Sequence, residues 1–198
     1  MSRRVNPCVN RCVNRGVGML EFLLALLLFS VGMLGLMATQ LAGKRAGYEA
    51  SQRSQATALA RDMLERIRVN PGQLAAYQVE GLGDVGSRLG PPGVDCAAAK
   101  CSSEQLAAFD LWQWESLLLG ESEQAGDENV GGLVSPRGCI RRRDAAVTVT
   151  ISWLGTAPAG PAGDITCGSG SSGVDAPDDA GIDTTRRHQL ALATVIAQ

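Results

Sequence analysis

Hydrophobic and polar positions change rhythm several times along the chain. From Phe22 to Gly43 no ionisable side chain occurs. These 22 residues, rising about 1.5 Å each, reach roughly 33 Å as a helix, enough for a hydrocarbon core of about 30 Å. One acid, Glu21, stands immediately ahead of the run. Beyond it the pattern becomes amphipathic. Tyr48, Leu59, Met63, Leu64 and Ile67 fall near one face of a 3.6-residue period, and Arg53, Arg61, Glu65 and Arg68 fall mostly elsewhere. No proline intervenes before Asn70-Pro71, so a single helix is predicted from about Val17 to Val69.

Residues 72–95 are glycine-rich, end in "LGPPGVDC" and read as an irregular loop. In the next stretch Ser102 can accept from a backbone N–H while Gln105, three residues on, answers as a capping box, and Gly120 supplies a stop. A helix over about 103–119 follows, with Leu106, Phe109, Leu111, Trp112 and Leu117–Leu119 as its apolar surface and one of Trp112 and Trp114 expected outside the core. Strands are predicted over about 138–153 and 186–197. Val147, Val149, Ile151 and Trp153 alternate with Thr148, Thr150 and Ser152, one face packed and the other wet. Leu190, Leu192, Thr194 and Ile196 share one side of the last strand, and "GCIRRRD" is the expected neighbour. The economical architecture is α+β: a long N-terminal helix, a second helix in the connecting region, and an antiparallel sheet of three or four strands laid against the long helix.

Charge gives this arrangement a direction. The net charge of −2 hides an asymmetry, because Arg3, Arg4, Arg11 and Arg15 precede Glu21 with no acid among them. The remainder carries 14 bases against 20 acids, which argues against a nucleic-acid partner. Bases before the apolar run place the N-terminus in the cytoplasm and the rest outside. The run is too long for a secretory signal and no A-x-A site closes it, while Arg3-Arg4 lies too far upstream for twin-arginine export. A carboxylate in the bilayer costs roughly 2.5–3.5 kcal/mol at the centre and less near the edge, so Glu21 needs a partner. A cut after Gly16 would give Val17 an α-ammonium one helical turn, about 6 Å along the axis, from the Glu21 carboxylate. In a helical array that cation could meet the Glu of a neighbouring subunit. The plain alternative is a Glu tolerated at the interface by snorkelling.

A short basic leader, a Gly, a Glu five residues on and about twenty apolar residues resemble the class III signal of type IV pilins and type II secretion pseudopilins. The resemblance implies cleavage by a prepilin peptidase between Gly16 and Val17, N-methylation of Val17, and a role for Glu21 in docking subunits into a filament. Val17 stands where Phe is commonest in the family, and Gly18 follows it. The organisation implied is a leader at 1–16 that is removed, a membrane or filament-core half at 17–43, an amphipathic half at 44–70 and a globular head at 71–198. Cys96, Cys101 and then "AFDLWQWESLL" add a second resemblance, to minor pilins of the PilV type. It implies a subunit that co-assembles with other minor pilins in the bacterial inner membrane, primes the pilus and stays near its tip. Its partners would be the prepilin peptidase, other minor pilins, the major pilin and a tip adhesin, in the service of adhesion and twitching motility. A minor pseudopilin of type II secretion is the alternative. A membrane-anchored exported binding domain or enzyme outside any filament is a further one.

Four cysteines remain after such processing: Cys96, Cys101, Cys139 and Cys167. An even count in an exported domain favours disulfides, and three connectivities are possible. Pairing sequence neighbours, Cys96 with Cys101 and Cys139 with Cys167, gives on the order of 2 and about 3.5 kcal/mol in the loop-entropy picture. Zinc competes poorly, since neither spacing is C-x-x-C and His188 is the only histidine. Cys8 and Cys12 lie in the leader and are read as incidental.

Other patterns add little. Gly43 and Gly47 match G-x-x-x-G but enclose Lys44 and Arg45. "GSGSSG" at 168–173 has no helix after it to receive a phosphate, and "VDAPDDAGID" lacks a calcium-loop rhythm. Arg141–Arg143 reads as a solubilising strand edge, with contact to an acidic partner as the sharper reading. A lone histidine offers no nucleophile–base pair, so no catalytic residue, metal or cofactor is expected.

Overall fold

The computed structural model describes residues 18–83, 88–159, 167 and 184–196. The chain forms two compact units, Met1–Lys44 and Arg45–Gln198. The leader, the "GSGSSG" loop and the acidic stretch after it lie outside the described residues.

Helix α1 spans Met19–Val69. It contains no proline and carries Arg66 and Arg68 in its last turn, where cations complement the carbonyl end. Asn70 follows, and Pro71 begins a single 3₁₀ turn, Pro71–Gln73. Within the second unit α1 buries Gln52, Ala56, Ala60, Met63, Leu64 and Ile67, an i, i+4 and i, i+3 stripe. The two fully buried alanines keep one half of the stripe thin, and the large residues near its end fill the wider space beside Tyr77 and Trp114. Tyr48 continues the same row but remains 42% exposed, because the buried stripe of α1 starts one turn later, at Gln52.

Strand β1, Val79–Leu82, lies inside the stretch expected to be irregular. Four residues that include a Gly give too few alternations to register as a strand; pairing with a longer neighbour is what orders them. Helix α2, Ser103–Leu118, begins at the capping box: Ser102 Oγ accepts from Gln105 N–H and Gln105 Oε1 accepts from Ser102 N–H. It ends where Gly120 takes φ +69°. A Cβ there would lie 2.0 Å from the Gly131 backbone. Trp114 is fully buried and Trp112 only half so. Two minimal strands, β2 (Gln124–Ala125) and β3 (Glu128–Asn129), form a surface hairpin.

The main sheet is completed by β4 (Arg137–Arg143), β5 (Ala146–Leu154) and β6 (Arg187–Val195). Its order is β1-β4-β5-β6 with every pair antiparallel. The expected 138–153 region is thus a hairpin, turning at Asp144 with φ +53°, a conformation Asp tolerates better than most residues. Arg141 pairs with Glu80 on β1 at 3.1 Å and Arg142 Nε donates to Asp144 O at 2.8 Å, so two of the three arginines are engaged within the head.

Val147, Val149, Ile151 and Trp153 are buried, as their alternation requires. Thr150 and Ser152 on the opposite face are buried too, against expectation. The cause is the Cys139–Cys167 disulfide, which brings the Cys167 backbone over that face, where its carbonyl accepts from Ser152 Oγ at 3.3 Å. Each fully buried large aliphatic or aromatic side chain in this core contributes about 1.5–3 kcal/mol of transfer free energy.

The sheet meets α2 closely at Gly138 on β4, where a Cβ would lie 2.6 Å from Trp114 Cζ3. Gly138→Ala is expected to destabilise the detergent-solubilised protein by ~1–3 kcal/mol through overpacking. Gly93→Ala, where nothing lies within 4 Å, is the control. Equal denaturation midpoints for the two variants would contradict this packing.

Candidate functional site

The first unit offers one chemical feature on a uniformly apolar rod. Every residue from Gly18 to Lys44 is exposed, and the stretch has a mean hydropathy of 2.3 over its most apolar 18 residues. Its two hydroxyls are satisfied locally: Ser30 Oγ donates to Leu26 O at 2.7 Å and Thr39 Oγ1 to Leu36 O at 2.8 Å. Such back-bonding hides hydroxyls from an apolar medium. Glu21 sits in the first turn of α1, where free backbone N–H groups favour a carboxylate. Among the described residues no base pairs with it. The next bases along the helix, Lys44 and Arg45, lie about 35 Å away by helical rise. Gly16 and Val17, the expected cleavage and methylation positions, lie outside the described residues.

In the second unit a buried polar cluster joins α1 to α2. Asp110, 5% exposed, accepts from Tyr77 Oη at 2.6 Å and from Arg66 Nη1 at 3.1 Å. Arg66 also donates to Gln113 Oε1 at 2.6 Å and to Asp62 Oδ2 at 2.8 Å. Asn70 Nδ2 donates to Ser103 O at 2.7 Å and to Tyr77 Oη at 3.3 Å. Burial pushes the Tyr77 phenol well above its usual range, and the bond it donates to the Asp110 carboxylate adds to that. Trp114 Nε1 donates to Leu59 O at 3.0 Å, a second tie between the helices. Glu115, 3% exposed, receives Gly83 N–H at 2.9 Å and Leu89 N–H at 2.7 Å, so one buried carboxylate gathers β1's end and the following loop onto α2.

Glu49 on α1 makes a third tie. It accepts from the Thr156 backbone and from Thr156 Oγ1, and from Ala157 N–H at 3.2 Å, with His188 Nε2 3.6 Å away. Burial opposes its ionisation, but the Thr156 and Ala157 bonds and the nearby His188 together outweigh that and hold its carboxyl below the usual range. Gly155 is required beside it, because a Cβ there would lie 2.3 Å from His188 Cδ2.

The disulfides complete the frame. Cys96–Cys101 clips the loop ahead of α2, with Cα atoms 5.5 Å apart, and Cys139–Cys167 ties β4 to Cys167, with Cα atoms 5.6 Å apart. Arg66, Asn70, Tyr77, Asp110 and Glu115 escaped sequence reasoning. The available signal was Asp110 and Glu115, two acids placed among the apolar positions of an amphipathic helix.

Residues 38–112 match the family model Tt1218-like, described as type IV pilin Tt1218. Over that segment the chain is similar to type IV pilins. The match runs from the end of the apolar stretch through the amphipathic half of α1, β1 and the Cys96–Cys101 clip to Trp112, and includes Arg66, Asn70, Tyr77 and Asp110. No curated protein and no solved structure matches the chain. The α+β architecture, a long N-terminal helix with a second helix and an antiparallel sheet, is that of type IV pilins. The pilin family is structural, not enzymatic.

Two expectations follow for the second unit. Tyr77→Phe leaves one oxygen of buried Asp110 without a donor and should lower stability by ~1–3 kcal/mol in denaturant unfolding; an unchanged midpoint would show the cluster to be water-satisfied. Glu49 has its carboxyl lowered in the fold, so its contribution is complete above the unfolded value near 4.5 and fades as pH falls through the lower folded value. Glu49→Gln should therefore flatten the acid limb of the stability–pH curve and leave the limb above pH ~6 parallel to the parent.

Proposed function

We propose that this chain is a minor pilin of the PilV kind, whose work is assembly of a type IV pilus. It is held in the inner membrane with its leader cytoplasmic and its head outside, is cut after Gly16 by a prepilin peptidase and methylated at Val17. It then joins other minor pilins in a complex that primes the major pilin and carries a tip adhesin. One observation supports this most: a helix with no ionisable side chain from Phe22 to Gly43 opens on a single acid, Glu21, and no base among the described residues answers it. A carboxylate so placed is best accommodated by an ammonium from a neighbouring protomer, which cleavage ahead of Val17 would create. Basic residues before the apolar run and a net acidic chain after it favour the stated orientation. The clip at Cys96–Cys101 followed by the tryptophan-bearing α2 favours a minor over a major subunit.

Glu21→Ala in the native cells tests the reading. Cleavage of the leader should persist, while the amount recovered in sheared pili falls at least about tenfold, the factor that a lost pairing free energy of ~1.4 kcal/mol gives. Incorporation of Glu21→Ala at the parental level would overturn it.

A further inference from the structure

We propose that the Cys96–Cys101 disulfide is a thiol-exchange site: a thiolate of an external dithiol attacks Cys96 Sγ, Cys101 leaves, and the clip opens while the head stays folded. Nothing in this depends on filament assembly, so it stands apart from the pilin reading. The two disulfides differ first in access. Cys139 and Cys167 are 2% and 6% exposed. Cys139 Sγ accepts from Gly81 N–H at 3.3 Å, and Cys167 Sγ lies 3.5 Å from both Arg137 O and Thr150 O, so backbone of β1, β4 and β5 surrounds this pair. Cys96 and Cys101 are both partly exposed, and residues 97–100 between them are exposed throughout. Accessible disulfides are the labile and regulatory ones, whereas buried structural ones resist reduction.

They differ next in what depends on them. Cys139–Cys167 joins residues 28 apart in sequence and keeps Cys167 O over β5, where it accepts from Ser152 Oγ. Cys96–Cys101 joins residues only 5 apart. The turn inside it has its own bonds: Asp95 Oδ1 accepts from Ala97 N–H at 2.9 Å, and Asp95 O accepts from Ala98 N–H at 3.1 Å and Ala99 N–H at 2.9 Å. The capping box of Ser102 and Gln105 holds the start of α2, and Leu89 N–H on Glu115 holds the loop upstream. None of these bonds uses a sulfur. Opening the clip is therefore a local event.

Local charge orders the exchange. Asp95 beside Cys96 disfavours a thiolate there. Cys101 directly precedes the Ser102 N-cap, where Lys100 offsets Glu104 and the free N–H groups of the first turn favour a departing thiolate. The incoming thiolate bonds to Cys96 Sγ, the S–S bond breaks and its electron pair leaves on Cys101 Sγ. The second thiolate of the dithiol then attacks its own sulfur in the mixed disulfide and releases Cys96. The two cysteines take up the two protons that the dithiol gives up; the clip is reduced by two electrons and the dithiol becomes a disulfide. Opening also releases one wall of an apolar groove of about 330 Å³, in which Leu89 and Pro92 of the clipped loop face Ala108, Leu111 and Trp112 of α2. Trp112 is partly exposed there, while Trp114 and Trp153 are buried, so Trp112 reports the change.

The test treats the full chain in detergent with a low concentration of dithiothreitol, quenches samples over time with iodoacetamide and maps the labelled peptides by mass, which also separates Cys8 and Cys12. Cys96 and Cys101 should be alkylated at least about a hundredfold faster than Cys139 and Cys167, with circular dichroism unchanged and tryptophan emission shifted. With reduced glutathione in place of the dithiol, the first adduct should sit on Cys96. A thioredoxin-type protein that outpaces dithiothreitol at equal thiol concentration marks a protein dithiol as the reductant; equal rates mark a small thiol. The double variant Cys96→Ala/Cys101→Ala should fold and show the emission of the reduced chain, and the labelling of the parent decides the matter if it does not fold. Reaction of all four head cysteines together, a first glutathione adduct on Cys101, or loss of circular dichroism as the clip opens overturns the proposal.

Discussion

The Glu21 carboxylate opens a helix that carries no other ionisable group until Lys44, and its need for a counter-charge governs how the rest of the molecule is read. At a helix start it is favoured by free N–H groups worth typically 0.3–1 kcal/mol. That is less than the roughly 2.5–3.5 kcal/mol an acid costs at the bilayer centre. Local structure therefore covers only part of the penalty that the centre would impose. On the proposed reading an ammonium on an adjoining protomer would cover the remainder and make the charge informative: it would favour one axial position of a neighbour over positions slipped along the apolar rod.

The second unit solves a different problem, which is to hold a head onto one face of α1. Apolar packing alone permits sliding, since Ala56, Ala60, Met63 and Ile67 form a smooth stripe. Directional groups remove that freedom at several heights. Glu49 binds the loop at Thr156, Gln52 binds Val134 N–H at 3.3 Å, the Leu59 carbonyl receives Trp114, and Arg66 and Asn70 bind α2. The disulfides act on the same parts from outside, one ahead of α2 and one across the sheet. The pilin family match covers the stretch in which most of these ties originate.

What could be read in the sequence was what local chemistry decides. Asn70-Pro71 ends α1 and the Ser102/Gln105 pair starts α2 because each acts within one turn of itself. The β5 alternation was legible for the same reason. Features that depend on distant chain were not. β1 is a strand only because β4 lies beside it, and Thr150 and Ser152 are buried because Cys167 is drawn over them from outside the strand. The cluster of Arg66, Asn70, Tyr77 and Asp110 escaped because each residue looks like an ordinary surface or turn group until α2 is folded back on α1. The leader and Val17 were legible as a pattern, and their chemistry rests on that pattern and on the unanswered charge of Glu21.

That charge argument predicts a covalent change at the N-terminus, which intact-mass measurement and N-terminal sequencing of the chain purified from native membranes read directly. The account predicts a mature chain beginning at Val17 with a methylated amine. A chain that still begins at Met1 in cells with an active prepilin peptidase would contradict it.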